Sequence, residues 1–223
     1  MNILIVYAHH EPGSFTSSLK NLAVEVLEEQ GHTVVVSDLY GQGFSAVAQK
    51  WDFVTTSGNH FNYMLEQKHA ANLGMSFSPD ILGEIQKIQT SELVLFIAPM
   101  WWMSVPAILK GWFDRVLAMG FAWDDGKIFE NGKLRGKQAI MITTAGFPAE
   151  YFSPAGRYKA DPNQILYPIN YGTLATCGFN VHEPFLALNI LGSTQESRDK
   201  IIKDYEYRIR NLTASPQWLI FYG

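Results

Sequence analysis

Three short stretches carry residues that could do chemistry together. The first is His9-His10-Glu11-Pro12-Gly13-Ser14-Phe15-Thr16-Ser17-Ser18. It follows an apolar run and opens an amphipathic one, so its hydroxyls lie beside the unpaired N–H groups of a helix start. That is a natural cradle for a phosphate or diphosphate. The plainer reading is an N-cap by Ser14, which needs only one of the hydroxyls. The second stretch, Pro99-Met100-Trp101-Trp102-Met103, is apolar where a surface loop should be polar. It follows Leu93 to Ala98, a run without a polar side chain that suits a parallel strand buried on both faces. An apolar loop at the carboxyl end of such a strand is where open α/β sheets take flat ligands. A core loop covered by a lid or by a partner chain fits this stretch equally well. The third, Thr143-Thr144-Ala145-Gly146, offers hydroxyls and approachable backbone, and Tyr151 follows within reach.

The elements that must position these stretches can be read from periodicity. Asn2 to Ala8 is a hydrophobic strand. Phe15, Leu19, Leu22, Ala23, Val26 and Leu27 mark one helical face, which Gly31 closes. Thr33 to Val36 is a second strand ending at Asp38, which completes a βαβ unit. Residues 41–77 are irregular, with loops and one short helix expected. A helix begins at Ser78-Pro79-Asp80, the third strand at Leu93, and a helix at Pro106. The apolar face of that last helix, from Ile108 to Leu117, is wide enough to suggest contact with a second subunit. Strand four is expected over Gln138 to Thr144, a helix around Asn163 to Thr176 and strand five near Phe179 to Leu186. Ser193-Thr194-Gln195-Glu196 reads as a capping box for the last helix. Strands alternating with helices define a doubly wound α/β fold of flavodoxin-like order 2-1-3-4-5. The 223 residues are read as a single domain, with an irregular insertion about 41–77 and a tail about 213–223. On that order the three stretches fall at neighbouring strand ends. Together they suit a flavin: diphosphate on the first, isoalloxazine on the second, pyrimidine edge on the third.

Composition and motifs remove other readings. A net charge of -4 and a pI near 5.8 argue against nucleic acid or an acidic membrane surface. No apolar run is long enough to span a bilayer, and the N-terminal apolar run reads as a strand rather than an export signal, so a cytoplasmic protein without membrane insertion is expected. That setting makes the sequon Asn211-Leu212-Thr213 accidental. Cys177 is the only cysteine, which leaves no internal disulfide and no thiolate zinc cluster. The six histidines show no metal-ligand spacing, and no metal is expected. There is no phosphate-binding Walker loop and no Gly-x-Ser-x-Gly nucleophile elbow. Gly41-Gln42-Gly43-Phe44-Ser45-Ala46 fits the letters of a dinucleotide fingerprint, but it follows the second strand and precedes a weak helix, so it is discounted.

Longer segments point further. Leu4-Ile5-Val6-Tyr7-Ala8-His9 with Ser14-Phe15, Ser37-Asp38-Leu39-Tyr40, Ser78-Pro79-Asp80-Ile81, Ile142-Thr143-Thr144 and Cys177-Gly178-Phe179 all occur in order. The most specific is Val105-Pro106-Ala107-Ile108-Leu109-Lys110-Gly111-Trp112-Phe113-Asp114-Arg115. The chain resembles the flavodoxin-like NAD(P)H:quinone oxidoreductases of DT-diaphorase type, including those that use dihydronicotinamide riboside. The resemblance covers nearly the whole chain. It implies a homodimer, a quinone or related electrophile as substrate, NADPH or NADH as donor, and FAD rather than FMN as cofactor. By position, His9, Phe15, Thr16 and Ser18 would hold the ADP and diphosphate half, with Asn62 reaching in. Pro99, Met100, Trp101, Trp102 and Met103 would line the isoalloxazine with their N–H groups facing its edge. Thr143, Thr144, Ala145 and Gly146 would hold the pyrimidine edge, and Arg198 would help at the adenine end. Trp123, with Ala122 and Asp124 beside it, would close the substrate pocket of the partner subunit. The implied reaction is ping-pong hydride transfer, with Tyr151 donating a hydrogen bond to developing charge.

The chain departs from the family pattern at one catalytic position. The histidine that follows the tyrosine has no counterpart in Gly156-Arg157-Tyr158-Lys159, and Tyr158 lies nearest its place. Phenols ionise far above neutral pH, so Tyr158 can donate a hydrogen bond but cannot cycle protons as imidazole does. Two alternatives keep the same fold. One is an FMN-dependent reductase of quinones, azo dyes or nitroaromatics. The other is a regulatory subunit of a potassium-efflux transporter, docking through Trp218 to Tyr222.

Overall fold

The structure, a computed structural model, describes residues 1–58 and 60–212. The proposed tail element Trp218 to Tyr222 lies outside the described residues. Strand β1 (Asn2–Tyr7) leads through the turn at Pro12-Gly13 into helix α1 (Phe15–Glu29) and back to β2 (Thr33–Asp38). Helices α2 (Tyr63–Asn72) and α3 (Pro79–Thr90) precede β3 (Leu93–Pro99), and α4 (Ala107–Val116) precedes β4 (Gln138–Thr144). Helix α5 (Pro162–Ile169), short strands β5 (Asn180–Val181) and β6 (Phe185–Ala187), and helix α6 (Gln195–Arg210) complete the described chain. The sheet is parallel throughout, in the order β2-β1-β3-β4-β5 with β6 also on β4.

Alternation along β1 and β3 builds two cores. Leu4, Val6, Val94 and Phe96 point to the side covered by α3 and α4, where Ile81, Ile85, Leu109 and Trp112 meet them. Ile3, Ile5, Leu93, Leu95 and Ile97 point to the other side, against Leu19, Ala23 and Leu27 of α1 and Tyr205 and Ile209 of α6. A strand buried on both faces must be apolar at every position, and all seven residues of β3 are buried.

The fifth strand differs from the expectation of one continuous run near Phe179 to Leu186. It is split in two around His182-Glu183-Pro184, and both halves pair with β4. Pro184 has no N–H to give the ladder, which accounts for the break. The last helix is capped by Thr194, whose side chain accepts from Ser197 N–H, and not by Ser193. Ser193 instead donates to Ile190 O. The expected helix around Asn163 to Thr176 starts at Pro162 behind an Asp161–Gln164 capping box and finishes in a π-helical turn, Asn170–Ala175.

Residues 41–77 hold one helix as expected, α2, and a short 3₁₀ turn at Lys50–Asp52. Sequence reasoning missed what this segment does. It lies over α4, so much of the apolar width that suggested a second subunit is filled within the chain. Gly111 marks the closest approach: a Cβ there would stand 2.1 Å from Ala46 O. Arg115 of α4 reaches into the segment, where it meets Asp52 at 2.8 Å and Ser45 O at 2.9 Å, and it also meets Asp80 at 2.7 Å. The Gly41–Ala46 letters therefore serve packing: Gly43 turns the chain at φ 63° and Phe44 lies under the Arg115 guanidinium.

Cys177 is buried at the end of the π-helical turn, and burial pushes its thiol up to about 12. Thiol reagents act on the thiolate. Labelling with iodoacetamide is expected only after denaturant unfolds the protein; one equivalent incorporated in native buffer within minutes would contradict this placement. No helix among the described residues is long and apolar enough to cross a membrane.

Candidate active site

A cleft of about 750 Å³ opens along the carboxyl ends of β1, β3 and β4. Its position follows from the topology, because the crossovers leave β1 on both sides and create a crevice there. Each of the three stretches singled out by residue type contributes to it.

The first wall is the start of α1. Ser14 does cap the helix, its Oγ accepting from Ser17 N–H at 3.1 Å. The Ser17 hydroxyl donates to Glu11 O and meets Tyr7 OH. With Ser14 and Ser17 engaged in the turn, the N–H groups of Phe15 and Thr16 have no partner among the described residues, and both residues line the cleft. N-capping therefore leaves two N–H groups at this helix start of the kind that can receive an anion. Thr16 Oγ1 lies 2.8 Å from Thr144 Oγ1, which joins the α1 wall to the end of β4. Ser18 points elsewhere, its hydroxyl donating to Ser14 O at 3.4 Å. His9 lines the cleft, and its Nδ1 accepts from Glu11 N–H at 3.0 Å. Burial, helped by neighbouring His10, pulls its pKa below the ordinary histidine value. A neutral His9 with Nδ1 engaged carries its proton on Nε2.

The second wall is the loop after β3. Met100 N–H donates to Thr144 O at 2.8 Å, and Trp101 and Ser104 exchange two backbone bonds of 3.0 Å. Trp102 and Met103 form the tip of this tight turn at φ 51° and 56°. Left-handed backbone is costly for such side chains. Of Pro99 to Met103, only these two have N–H groups without a partner among the described residues; Pro99 has none, and those of Met100 and Trp101 are engaged. The expected row of N–H groups along Pro99 to Met103 is thus reduced to two.

The third wall is Thr144, Ala145 and Gly146. Ala145 is fixed on both sides, donating to Ala187 O and accepting from Ile190 N–H. Thr143 faces the opposite side of β4, where its hydroxyl is buried without a partner among the described residues. Tyr158 closes the cleft, together with Phe147 and Phe152. Tyr151 stands just behind, stacked on Phe147 with ring centres 5.7 Å apart, and Arg157 lies over its ring and within 3.5 Å of its hydroxyl.

Four lining residues escaped sequence reasoning: Phe147, Phe152, Ile190 and Leu191. The apolar Ile190-Leu191 pair in a connecting loop carried the same signal as Met100 to Met103. Arg198 does not line the cleft; it braces that loop from α6, donating to Ser193 Oγ at 2.7 Å and to Ile190 O at 3.4 Å. Asn62 lies apart, capping α2 through Leu65 N–H. Trp123 borders a different hollow of about 530 Å³ beside Phe113, Tyr63 and Cys177. Ala122 next to it is buried, and Asp124 pairs with Lys68 at 2.7 Å.

The parallel 2-1-3-4-5 sheet with a strand-end cleft places the chain in the flavodoxin-like class, and a family model for the flavodoxin-like fold matches residues 1–212. The human ribosyldihydronicotinamide dehydrogenase [quinone] is 41% identical over 212 residues, covering 94% of this chain and 91% of that protein. Rat NAD(P)H dehydrogenase [quinone] 1 is 36% identical, over 94% of this chain and 76% of its own. Among solved structures, a Klebsiella pneumoniae protein described as a candidate quinone reductase superposes with a TM-score of 0.91 at 34% identity, covering 97% of this chain and 86% of that one. The chain belongs to the flavodoxin-like NAD(P)H:quinone oxidoreductases, a family of enzymes.

Proposed function

We propose that this protein reduces quinones by two electrons at the expense of NAD(P)H, using FAD held in the strand-end cleft. The observation that carries this reading is the cleft itself. It joins an apolar aromatic wall with free N–H groups at its tip (Met100 to Met103) to a helix start with two unpaired N–H groups (Phe15, Thr16). A flat heteroaromatic ring bearing a diphosphate needs both. Bound there, the flavin would supply a two-electron carrier able to accept hydride from the dihydronicotinamide and pass it to the quinone.

The chain's share is orientation and electrostatics. Phe15 and Thr16 N–H groups, with His9 Nε2–H, would neutralise the diphosphate. Trp102 and Met103 N–H groups and the Thr144 to Gly146 edge would fix the ring in its plane. Tyr158 and Tyr151 would donate hydrogen bonds as negative charge develops, and Arg157 beside Tyr151 would favour that charge. A cleft of about 750 Å³ has room for the cofactor and one flat ring, so donor and quinone would bind in turn, in ping-pong order. Neither Trp123 nor Asn62 lines the cleft of its own chain. Their positions suit a homodimer in which each subunit completes the other's site.

The protein reconstituted with FAD is expected to be yellow, to bleach anaerobically with NADH or NADPH, and to recover its absorbance on adding a simple benzoquinone. Mass spectrometry of the flavin retained after expression separates FAD from FMN. Absence of bleaching by any dihydronicotinamide would end the enzyme reading.

A further inference from the structure

The loop after β4 brings a cation to the mouth of the cleft, and its shape is fixed at short range. Tyr158 N–H donates to Tyr151 O at 3.0 Å, and Gly156 N–H donates to Ser153 O at 2.9 Å. A Cβ at Gly156 would stand 2.3 Å from Glu150 O, so the loop closes this tightly only with glycine there. Arg157 is thereby held against the aromatic end of the site. Its guanidinium lies over the Tyr151 ring at 5.6 Å, and Tyr151 meets Tyr158 edge-on with ring centres 6.1 Å apart.

Charge sets this corner apart. The residues that line the cleft include no Asp, Glu, Lys or Arg. Arg157 is exposed beside it and has no carboxylate partner among the described residues; its contact there is Tyr151 OH at 3.5 Å. Asp161, an acid close along the chain, is occupied at the start of α5, where it accepts from Asn163 and Gln164 N–H. The Tyr158 hydroxyl, on the cleft lining, also has no partner among the described residues. Two hydroxyls and a guanidinium therefore flank an uncharged aromatic slot with no anion among them. A guanidinium presents its N–H groups in the fork that a carboxylate accepts, and an apolar wall beside it strengthens the attraction. We propose that Arg157 selects electron acceptors whose ring carries an anionic substituent such as a carboxylate, the ring lying in the cleft and the anion on Arg157 and the Tyr158 hydroxyl. The proposal rests on the reading of the cleft as the site of quinone reduction, and it narrows the acceptor to an anionic aromatic class.

The test uses the FAD-loaded protein with NADH and two acceptors: a 1,4-naphthoquinone bearing a propionate side chain, and its methyl ester. They share the ring, and only the acid is charged at neutral pH. The ratio of kcat/KM, acid over ester, isolates the contact, because any effect of Arg157 on the flavin acts on both acceptors. The wild type is expected to prefer the acid about tenfold, the size of one charge-assisted hydrogen bond, and added salt should shrink the preference. Arg157→Met should abolish it and Arg157→Glu should invert it, whereas a mere disturbance of the loop would move both variants alike. A wild-type ratio below about threefold, a ratio that falls less than about threefold in Arg157→Met, or equal ratios in the two variants would each overturn the assignment. Failure of the enzyme reading looks different, because neither acceptor would then reoxidise a reduced flavin. In that case calorimetric titration of the acid into the protein as purified decides. Binding that Arg157→Met weakens about tenfold supports the anion contact, and equal or absent binding overturns it.

Discussion

Replacing Arg115 by methionine is expected to lower the free energy of unfolding by about 3–5 kcal/mol. The guanidinium is enclosed by Asp52, Asp80, the Ser45 carbonyl and the Phe44 ring, and both it and Asp52 are withdrawn from solvent. Methionine fills similar space but leaves the Asp52 carboxylate in an apolar setting with only Tyr63 OH at 2.6 Å and Gln49 N–H at 3.1 Å. An uncompensated buried charge costs more than a well-made pair returns. The pairing also locks residues 41–77 to α4, so the loss should extend to that whole segment. Urea unfolding of the variant and the wild type at equal flavin saturation measures the difference, since bound cofactor stabilises by mass action. A change under about 1 kcal/mol would mean that the network is dispensable. Removing the acid as well, in Arg115→Met with Asp52→Leu, should recover much of the loss.

Trp102 carries the second large effect. Its side chain is 99% exposed, so it contributes almost nothing by packing, while its backbone holds φ at 51°. Trp102→Gly keeps the N–H and removes a left-handed penalty of about 1–2 kcal/mol. Against that stands the greater freedom of glycine in the unfolded chain, about 0.5–1 kcal/mol. A net gain of about 0.5–1 kcal/mol in the stability of the flavin-free protein is expected, with flavin affinity reduced by loss of the indole from the cleft wall but less than in Trp102→Pro. Trp102→Pro is more severe. Proline is fixed near φ −65° and has no N–H, so the turn tip must rearrange and one ring contact disappears. Flavin affinity is expected to fall on the order of a hundredfold, equivalent to about 3 kcal/mol. Visible titration with FAD reads both variants. If proline is tolerated with unchanged affinity, the turn tip has no part in holding the ring.

The parts of this fold that are legible in the sequence are those governed by short-range periodicity. The all-apolar Leu93–Pro99 strand, the Phe15–Leu27 helix face and the β-branched run from Thr33 each state their own burial, and their alternation states the sheet order. Residue types also locate the cleft, because hydroxyls, glycines and misplaced aromatics at strand ends have few other uses. What stays hidden depends on distance along the chain. Asp52, Asp80 and Arg115 meet across 63 and 35 residues, and nothing local in any of them announces the partner. Ile190 and Leu191 reach the cleft only because Ala145 pins their loop to β4. Arg198, expected at the adenine end, braces the Ile190–Ser193 loop in this structure, and a long basic side chain reads the same in either role. The positive φ at Trp102 and Met103 breaks the usual residue preference, so sequence rules point away from it.

The two faces of the sheet are completed at different moments of chain synthesis. The face toward α3 and α4 draws its buried residues from Leu4 to Val181 and closes once β5 has formed. The face toward α1 waits for Tyr205, Ile209 and Leu212. Until α6 leaves the ribosome, Leu19, Ala23 and Leu27 have only one side of their cover, and the ends of α1 and α6 cannot make the Glu29–Arg210 contact. A nascent chain therefore has one greasy flank bare until α6 emerges, the state in which chaperones bind and intermediates aggregate.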